Sequence, residues 1–451
     1  MRIGCNIAKV TMSRNVRINR PAALNGAIRV PGDKSISHRV AMLAAIADGA
    51  STISNFASSA DCHATLDCVE RLGIRVGRRA DSIIIYGNGL HGFAPPEHPA
   101  KLFVGNSGST IRMISGILAG QPFISELDGD ESIRRRPMQR IIEPLRLMGA
   151  QLNGRDGNFA PLTIHGSKLQ AIHYQSPVAS AQVKSCLLFA GLYADGTTVV
   201  SEPAESRNHS ELMLREFGAT LAVDRAANTV SITGGAALRA TDYEVPGDVS
   251  SAAFFLAAAS LVPDSRLRIE KVNLNPTRTA FLEVLRSLGA TLTIENIATK
   301  HGEPIGDLVI RSAALRCPNL RLSGSIIPNL IDEIPILAIV ATQCEGRLEV
   351  RDAAELRIKE SDRLKTVAAG IRKMGGEIEE FADGFAITGK QQLKGARIET
   401  AGDHRIAMAF SIAGLLAEGE TEIIGADCAA VSFPEFYELL SQVSGGVVIE
   451  A

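Results

Sequence analysis

At 451 residues, the chain is too long for a single hydrophobic core and long enough for two domains or more. Hydrophobic residues make up 45% and charged residues 21%, which is ordinary globular usage and excludes a disordered chain or a coiled coil. The formal net charge is -2, so no overall positive field attracts nucleic acid or an anionic membrane, and any anion site must be local.

The cysteines and the apolar runs indicate where the protein resides. Seven cysteines lie scattered in apolar contexts with no CxxC pair, which is typical of a reduced, cytoplasmic protein. The longest apolar run, residues 252–259, is far shorter than the roughly 18 residues of a membrane span. Residues 1 to about 20 are basic and carry no cleavage signature, so we expect a loose leader there.

One sequence phrase returns six times along the chain. Each copy has an amphipathic stretch, a glycine and then an alternating stretch, and the glycines lie 69 to 86 residues apart. A helix, a left-handed glycine cap and a strand account for this order. The glycines are Gly73, Gly149, Gly218, Gly289, Gly375 and Gly445. The chain is therefore predicted to contain six units of about 75 residues, three in each of two similar α/β lobes.

Between these phrases lie segments that are apolar nearly all round and that predict buried helices. The six segments are 40–47, 111–119, 183–194, 252–262, 334–342 and 406–417. A solenoid of six units is an alternative, but every helix of a solenoid keeps one outward polar face, which these segments lack.

The start of each buried helix is polar. Ser, Thr, Asn and Asp are the preferred N-caps, so capping alone explains any single start. Capping does not explain the cations Lys34, Arg39, Arg112 and Arg405, because a helix N-terminus disfavours positive charge unless an anion is bound there. We therefore predict that these starts meet in one cleft that holds a phosphorylated substrate.

Residues 357–363 place two carboxylates among three cations, a set able to hold an anion and move a proton, although a solvated charged face is the simpler explanation. The signatures GxxxxGK[ST] and HExxH are absent, and no GxGxxG follows a strand. The nine histidines show no metal-ligand spacing, and His38 and His404 are expected to support neighbouring arginines through hydrogen bonds.

Five motifs resemble, in order, the 5-enolpyruvylshikimate-3-phosphate synthase family, also called 3-phosphoshikimate 1-carboxyvinyltransferases, and in particular its second sequence class. The resemblance runs from about residue 24 to 440. The motifs are residues 31–39 (PGDKSISHR), 105–108 (GNSG), 136–138 (RPM), 359–363 (KESDR) and 403–408 (DHRIAM).

The resemblance implies an α/β (α+β) fold of two similar lobes. Each lobe has three pseudo-symmetric βαβαββ units around buried helices, an inside-out α/β barrel, and the active site lies between the lobes. We expect one discontinuous lobe of residues 1–31 and 248–451 and another of residues 32–247. The hinge is expected near Pro31-Gly32 and Pro246-Gly247.

The resemblance also implies an activity. The family transfers the enolpyruvyl group of phosphoenolpyruvate to the 5-hydroxyl of shikimate 3-phosphate and releases phosphate through a tetrahedral intermediate. This step belongs to the shikimate pathway to chorismate and the aromatic amino acids, and it implies no metal and no organic cofactor. The implied partners are the two substrates, with no nucleic acid and no membrane, and we expect a cytoplasmic monomer.

Carried over by motif, the residues implied for shikimate 3-phosphate are Lys34, Ser35, Arg39, Ser180, Ala181, Gln182, Arg207, Asp332 and Lys359. Those implied for phosphoenolpyruvate are Lys34, Gly108, Arg136, Gln182, Arg363 and Arg405. Asp332 matches the base that takes the 5-hydroxyl proton, Glu360 matches the acid that protonates the methylene carbon, and Lys34 is a rival donor. Because Lys359 and Arg363 favour an ionised Glu360, its protonation must be promoted by burial or by the negative charge of the substrate.

Two alternatives and two departures accompany this assignment. UDP-N-acetylglucosamine enolpyruvyl transferase has the same fold but uses Lys-Asn at its first helix and a loop cysteine, whereas Ser35 follows Lys34 here and residues 121–136 lack cysteine. A six-repeat ring or scaffold would need a basic inner face and no paired acids in a cleft. Residues 179–182 (ASAQ) have alanine where one branch of the family has a second serine, and Val431 stands where that branch has lysine.

Glyphosate is expected to inhibit in competition with phosphoenolpyruvate. Gly108 leaves room beside that substrate, whereas the best-known insensitive members of the second class carry alanine at this position.

Overall fold

The computed structural model describes residues 14–450, and its regular structure is built on six four-stranded sheets. In each sheet the first two strands are parallel, and the other two are antiparallel to their neighbours. A parallel pair needs a crossover connection and an antiparallel pair needs only a hairpin. Three of the sheets are continuous βαβαββ units, and each of the other three is completed by a strand from a distant part of the chain.

Three sheets come from the middle of the chain. In spatial order their strands are Tyr243–Glu244, Asp48–Ser54, Ser82–Asn88 and Arg75–Arg78; Ala100–Phe103, Ile124–Asp128, Phe159–His165 and Gln151–Arg155; and His173–Gln175, Thr197–Ser201, Thr229–Thr233 and Leu221–Asp224. A short two-stranded sheet joins Leu169–Gln170 to Ala194–Asp195.

The other three sheets form the second lobe, and two of them combine strands from both ends of the chain. Their strands are Asn25–Ile28, Arg266–Asn273, Glu303–Arg311 and Thr291–Lys300; Arg316–Leu322, Glu345–Val350, Gly384–Gly389 and Glu379–Phe381; and Arg397–Glu399, Thr421–Ile424, Val16–Ile18 and Val448–Glu450.

Each unit has one helix that is buried along nearly its whole length, as the apolar segments predict. These helices are Lys34–Ile46, Gly108–Ala119, Ala181–Gly191, Val249–Leu261, Ile334–Gln343 and His404–Leu416. Small residues let them approach closely. A Cβ added at Gly116 would lie 2.0 Å from the carbonyl oxygen of Cys186 on the neighbouring helix. The prediction of buried helices is confirmed.

A second helix in each unit is amphipathic and lies outside. These helices are Ala60–Arg71, Gln139–Leu147, His209–Glu216, Ala280–Ser287, Arg363–Lys373 and Phe436–Ser444. The six repeat glycines follow them with φ between 74° and 96°, the left-handed region where a Cβ is disfavoured, so the predicted glycine caps are confirmed. Short helical turns complete the fold at Glu131–Arg135, Gly324–Ile326, Ile327–Leu330, Ala354–Ile358 and Ala426–Val431.

The apolar side chains form two separate cores, one for each lobe. One core contains residues between 16 and 30 and between 249 and 443, and the other contains residues between 36 and 245. The chain crosses between them twice, side by side: Asp33 N–H donates to Pro246 O at 2.7 Å, and Asp248 N–H donates to Pro31 O at 2.9 Å. The two-lobe α/β fold is confirmed, and the residue bounds of the lobes stay a prediction.

The expected loose leader is wrong for residues 14–20, and its residues 1–13 lie outside the described part of the chain. Val16–Ile18 is an interior strand of its sheet, paired with Thr421–Ile424 and Val448–Glu450, and both Val16 and Ile18 are fully buried. A strand of three residues is too short to show alternation in the sequence, which is why it was missed.

Within residues 14–450, no single helix is long and apolar enough to cross a membrane. Only a pair bent by 104°, Gly324–Leu330 with Ile334–Gln343, passes a test of length and composition. Its second member is one of the buried core helices.

Candidate active site

A cavity of about 280 Å³ lies between the lobes, at the starts of five of the six buried helices. It brings together every predicted site residue except Arg39. The predicted residues that line it are Lys34, Ser35, Gly108, Arg136, Ser180, Ala181, Gln182, Arg207, Asp332, Lys359, Glu360, Arg363 and Arg405. A larger cavity of about 520 Å³ near Pro246 has its main charges paired with each other, as in Arg29 with Glu270 at 3.0 Å.

Arg39 is buried behind the cavity wall rather than facing it. Its guanidinium donates to Ser35 O at 2.9 Å and to the hydroxyls of Ser185 and Ser210, both at 2.8 Å. Burial, together with the charge of Arg207, lowers the pKa of Arg39 to about 10. In this arrangement Arg39 holds the wall beside Ser35.

Asp332 lies just before the helix Ile334–Gln343 and is surrounded by arginines. Arg207 of the other lobe donates to its Oδ2 at 2.5 Å, and Arg363 and Arg405 are each within 3.7 Å of the carboxylate. Burial raises the pKa of Asp332, but Arg405 and Arg207 hold it well below its usual range. The carboxylate is therefore ionised, the form that a base requires.

Glu360 also bridges the lobes. Arg363 contacts its carboxylate at 2.6 Å, and Arg136 of the opposite lobe contacts it at 3.1 Å. Burial raises the pKa of Glu360, yet Arg363 and then Arg136 keep it well below the usual range. The expectation of an ionised Glu360 agrees with this geometry, but Lys359 is paired with Glu355 at 3.1 Å instead.

Lys34 pairs with Asp61, a residue that the sequence reasoning did not select. The Nζ–Oδ2 distance is 2.9 Å. Burial lowers the pKa of Lys34, but the Asp61 carboxylate more than offsets this, so the pKa is raised and the ammonium keeps its proton. Asp61 lies in the first turn of the helix Ala60–Arg71, where acidic residues are common, so the sequence offers no signal of this role.

Gly108 sits where two guanidinium groups converge. A Cβ at this position would lie 2.9 Å from Arg112 Nη1 and 3.0 Å from Arg136 Nη1. Arg112, identified among the helix starts but not as a site residue, donates to Gln182 Oε1 at 2.9 Å. Burial and the nearby charge of Arg140 lower the pKa of Arg112 to about 9. Glycine thus allows two cations and one amide to share this corner.

Several buried arginine nitrogens around the cavity have no hydrogen-bond partner within residues 14–450. They are Arg112 Nε, Arg136 Nε, Arg363 Nη1 and Arg405 Nε. Buried donors are almost always satisfied in folded proteins, so this concentration indicates a site that anionic oxygens complete.

The two histidines beside site arginines are neutral. Burial and then the charge of Lys34 hold the pKa of both His38 and His404 well below 6.5. His38 Nδ1 lies 2.7 Å from the hydroxyl of Thr65, as expected of a supporting residue, whereas His404 lines the cavity. In the described part of the chain, no three His, Cys, Asp or Glu side chains form a group that could hold a metal ion.

The fold and the cavity together define a class: a two-lobed α/β protein with a cation-lined cleft that contains two ionised carboxylates. The family model of EPSP synthase (3-phosphoshikimate 1-carboxyvinyltransferase) matches residues 18–440. The chain belongs to this family, as its motifs predict.

Individual relatives agree over nearly the full length. The 3-phosphoshikimate 1-carboxyvinyltransferase of Bacillus subtilis (strain 168) is 50% identical over 423 residues, 93% of this chain and 97% of the relative. The enzyme of the same name from Koribacter versatilis is 50% identical over 430 residues, 95% of this chain and 99% of the relative. A solved EPSP synthase structure from Acinetobacter baumannii superposes with a TM-score of 0.86 at 40% identity, covering 97% of this chain and 100% of that one.

Proposed function

We propose that this protein transfers the enolpyruvyl group of phosphoenolpyruvate to the 5-hydroxyl of shikimate 3-phosphate, giving 5-enolpyruvylshikimate 3-phosphate and phosphate. The observation that carries this function is the pair of ionised carboxylates, Asp332 and Glu360, each held by arginines in one interlobe cavity. Family membership supports the same reaction.

Shikimate 3-phosphate binds at the side of the cavity formed by Ser35, Ser180 and Arg207. Arg207 donates to both Ser35 Oγ, at 3.3 Å, and Asp332 Oδ2, so it stands between the phosphate ligands and the base. A phosphate that engages Arg207 would loosen its hold on Asp332. The base is then free to take the proton of the 5-hydroxyl as that oxygen attacks C2 of phosphoenolpyruvate.

Phosphoenolpyruvate binds among Lys34, Arg136, Arg363 and Arg405, beside Gly108 and Gln182. Its phosphate and carboxylate satisfy the unpaired arginine donors, since guanidinium groups bind such oxygens with charge-assisted hydrogen bonds. Arg363 and Arg136 also keep Glu360 ionised, because their charges hold its pKa well below the usual range. Neutralising them with substrate therefore raises the pKa of Glu360 and allows it to carry a proton to the methylene carbon.

The function is tested by phosphate release. Purified protein is mixed with phosphoenolpyruvate and either shikimate 3-phosphate or UDP-N-acetylglucosamine. We expect release only with shikimate 3-phosphate, and its loss in Lys34→Ala. Release with the nucleotide sugar alone would favour the related transferase, and release in neither mixture would overturn the proposal.

We further propose that residues 14–31 with 248–450 and residues 32–247 act as two units that close on the substrates about the paired crossings. The separate cores and the short backbone bonds between the crossings support this division. A monomer suffices for the reaction, because one chain supplies every residue of the cavity.

A further inference from the structure

Behind the proposed phosphate site lies a buried ion cluster of Lys184, Glu202 and Glu211. Lys184 Nζ is 2.9 Å from Glu202 Oε2 and 2.8 Å from Glu211 Oε1. The three residues are only 3%, 7% and 4% exposed. Burial lowers the pKa of Lys184, but Glu211 and Glu202 more than offset it, so the ammonium is charged. Such a cluster is costly to bury unless its geometry and its hydrogen bonds are well made.

Glu202 connects this cluster to the wall of the cavity. Its Oε1 accepts the backbone N–H of Ser180 at 2.9 Å, and both its oxygens lie 2.8 Å from the hydroxyl of Ser206. Ser180 and Ser206 both line the cavity, and Ser206 precedes Arg207. Glu202 itself follows the strand Thr197–Ser201 and donates its backbone N–H to Asn228 O at 3.0 Å.

One carboxylate therefore ties a helix start and a loop to a strand. Ser180 caps the helix Ala181–Gly191, and Arg207 lies on the loop before the helix His209–Glu216. None of the three cluster residues was predicted as a site residue from the sequence. A glutamate such as Glu202 is normally exposed, and its burial becomes visible only in the folded structure.

We propose that Glu202 is a positioning residue for the phosphate of shikimate 3-phosphate. It sets the spacing between Ser180 and Arg207, and the Lys184 ammonium offsets one of the two carboxylate charges behind the wall, which reduces the repulsion of a bound anion. This inference rests on the proposed function, since it concerns how the first substrate is held.

Glu211 provides a matched comparison within the same cluster. It is equally buried and pairs with the same ammonium, but it approaches neither Ser180 nor Ser206, and its Oε2 has no hydrogen-bond partner within residues 14–450. Glu202→Met and Glu211→Met each leave Lys184 with one carboxylate. They differ in whether the bonds to the cavity wall are lost.

The experiment measures steady-state kinetics for both substrates and the Kd of shikimate 3-phosphate by calorimetry. Loss of wall bonds made by a charged acceptor is expected to raise the KM and the Kd for shikimate 3-phosphate about tenfold in Glu202→Met. Both constants should stay within about twofold in Glu211→Met, as should the KM for phosphoenolpyruvate in either variant. Glu202→Gln keeps one acceptor oxygen and should fall between wild type and Glu202→Met.

Thermal unfolding shows whether the variants are folded. If Glu202→Met does not fold, Glu202→Gln and Glu211→Gln replace the methionine pair, with the same expected contrast in the KM for shikimate 3-phosphate. Equal effects at positions 202 and 211, or an unchanged KM in a folded variant of Glu202, would overturn the inference while leaving the function intact. A wild-type protein that releases no phosphate overturns the proposed function itself.

Discussion

The absence of a side chain at Gly108 leaves room for two arginines in the proposed phosphoenolpyruvate site. Its Cβ would meet the tips of Arg112 and Arg136, both far ends of flexible side chains. An alanine is therefore tolerated by the fold, but it displaces two cations that the substrate needs.

Gly108→Ala is expected to raise the KM for phosphoenolpyruvate about tenfold, which corresponds to about 1.4 kcal/mol. The inhibition constant of glyphosate should rise at least as much, because we expect the inhibitor to use the same cations. Initial rates at varied phosphoenolpyruvate and glyphosate measure both constants, and the KM for shikimate 3-phosphate serves as the internal control. Wild-type turnover that saturating glyphosate leaves unchanged would contradict the expected competition.

Glu360 is expected to affect turnover more than binding. Glu360→Gln removes the proton carrier but keeps the shape and one acceptor for Arg363. General acid catalysis is worth about 10²–10⁴-fold, so kcat should fall within that range. The KM for shikimate 3-phosphate should change little, since Glu360 faces the other substrate.

A comparison of variants at Lys34 and Glu360 shows which of the two residues protonates the methylene carbon. If Lys34→Met retains proton transfer to the methylene carbon while Glu360→Gln loses it, measured by deuterium uptake from solvent into that carbon, Glu360 is the acid. The reverse pattern would assign the role to Lys34.

Sequence motifs located the cations and the two carboxylates, because helix starts and short charged runs are local features. They could not show which charges meet. Asp61 pairs with Lys34 across 27 residues, and Lys359 turns to Glu355 rather than to Glu360. Arg39 was assigned to the substrate, yet the folded wall occupies its donors.

The helices in the core of residues 36–245 pack closely at some glycines and not at others. The loss of stability caused by an added methyl group should therefore depend on the position of the glycine. The helix Gly108–Ala119 approaches Ala181–Gly191 through Gly116, where a Cβ would overlap the backbone of Cys186. Gly218 has a left-handed φ of 91°, but open space surrounds its missing side chain.

Gly116→Ala should therefore destabilise the protein by about 3 kcal/mol, the upper end of the usual cost of overpacking, because two helices must separate. Gly218→Ala should cost only about 1 kcal/mol, the strain of a non-glycine residue at positive φ. Urea unfolding followed by circular dichroism compares the two variants, whose glycines belong to the same core. Similar losses at the two positions would mean that the helix contact is not the sensitive feature.

Helices and caps were predictable because their periodicity spans ten residues or more. The six units and their two kinds of helix followed from the repeat, and the βαβαββ order was implied by the family resemblance, but neither identified the closing strands. Val16–Ile18 and Asn25–Ile28 pair with strands more than 240 residues away, and nothing in their short sequences identifies their partners.

Within residues 14–450, three of the ion pairs between the lobes lie in the cleft: Arg207 with Asp332, Arg136 with Glu360, and Arg140 with Glu355. Other pairs between the lobes, such as Arg278 with Asp33 and Lys300 with Glu244, lie near the paired crossings. The pKa values of the three carboxylates in the cleft are lowered, and for Glu355 the charges of Lys359 and Arg140 bring it to about 2. A carboxyl group whose pKa is lower in the folded state stabilises the fold above its unfolded pKa of about 4. This contribution is lost as the pH falls through the folded pKa.

We expect acid to separate the lobes before it melts them. The radius of gyration from small-angle scattering should be constant from about pH 8 to 5 and should rise as the pH falls below about 4. Far-UV circular dichroism should still show native helix at the start of this rise. The variant Asp332→Asn/Glu360→Gln should have the larger radius already at neutral pH. If the radius of gyration changes only together with the circular dichroism, the ion pairs in the cleft do not hold the lobes closed.

Two strands within residues 14–31 belong to sheets whose other strands come much later in the chain, and this affects the order in which the lobes fold during synthesis on the ribosome. They are translated before residues 32–247, whereas their neighbours Arg266–Asn273 and Thr421–Ile424 are translated only after those residues. At roughly 5–20 residues per second, the first strand waits on the order of 20–80 seconds for its partner. The lobe of residues 32–247 is therefore free to fold co-translationally, whereas the lobe of residues 14–31 and 248–450 is completed only after Thr421–Ile424 has been translated.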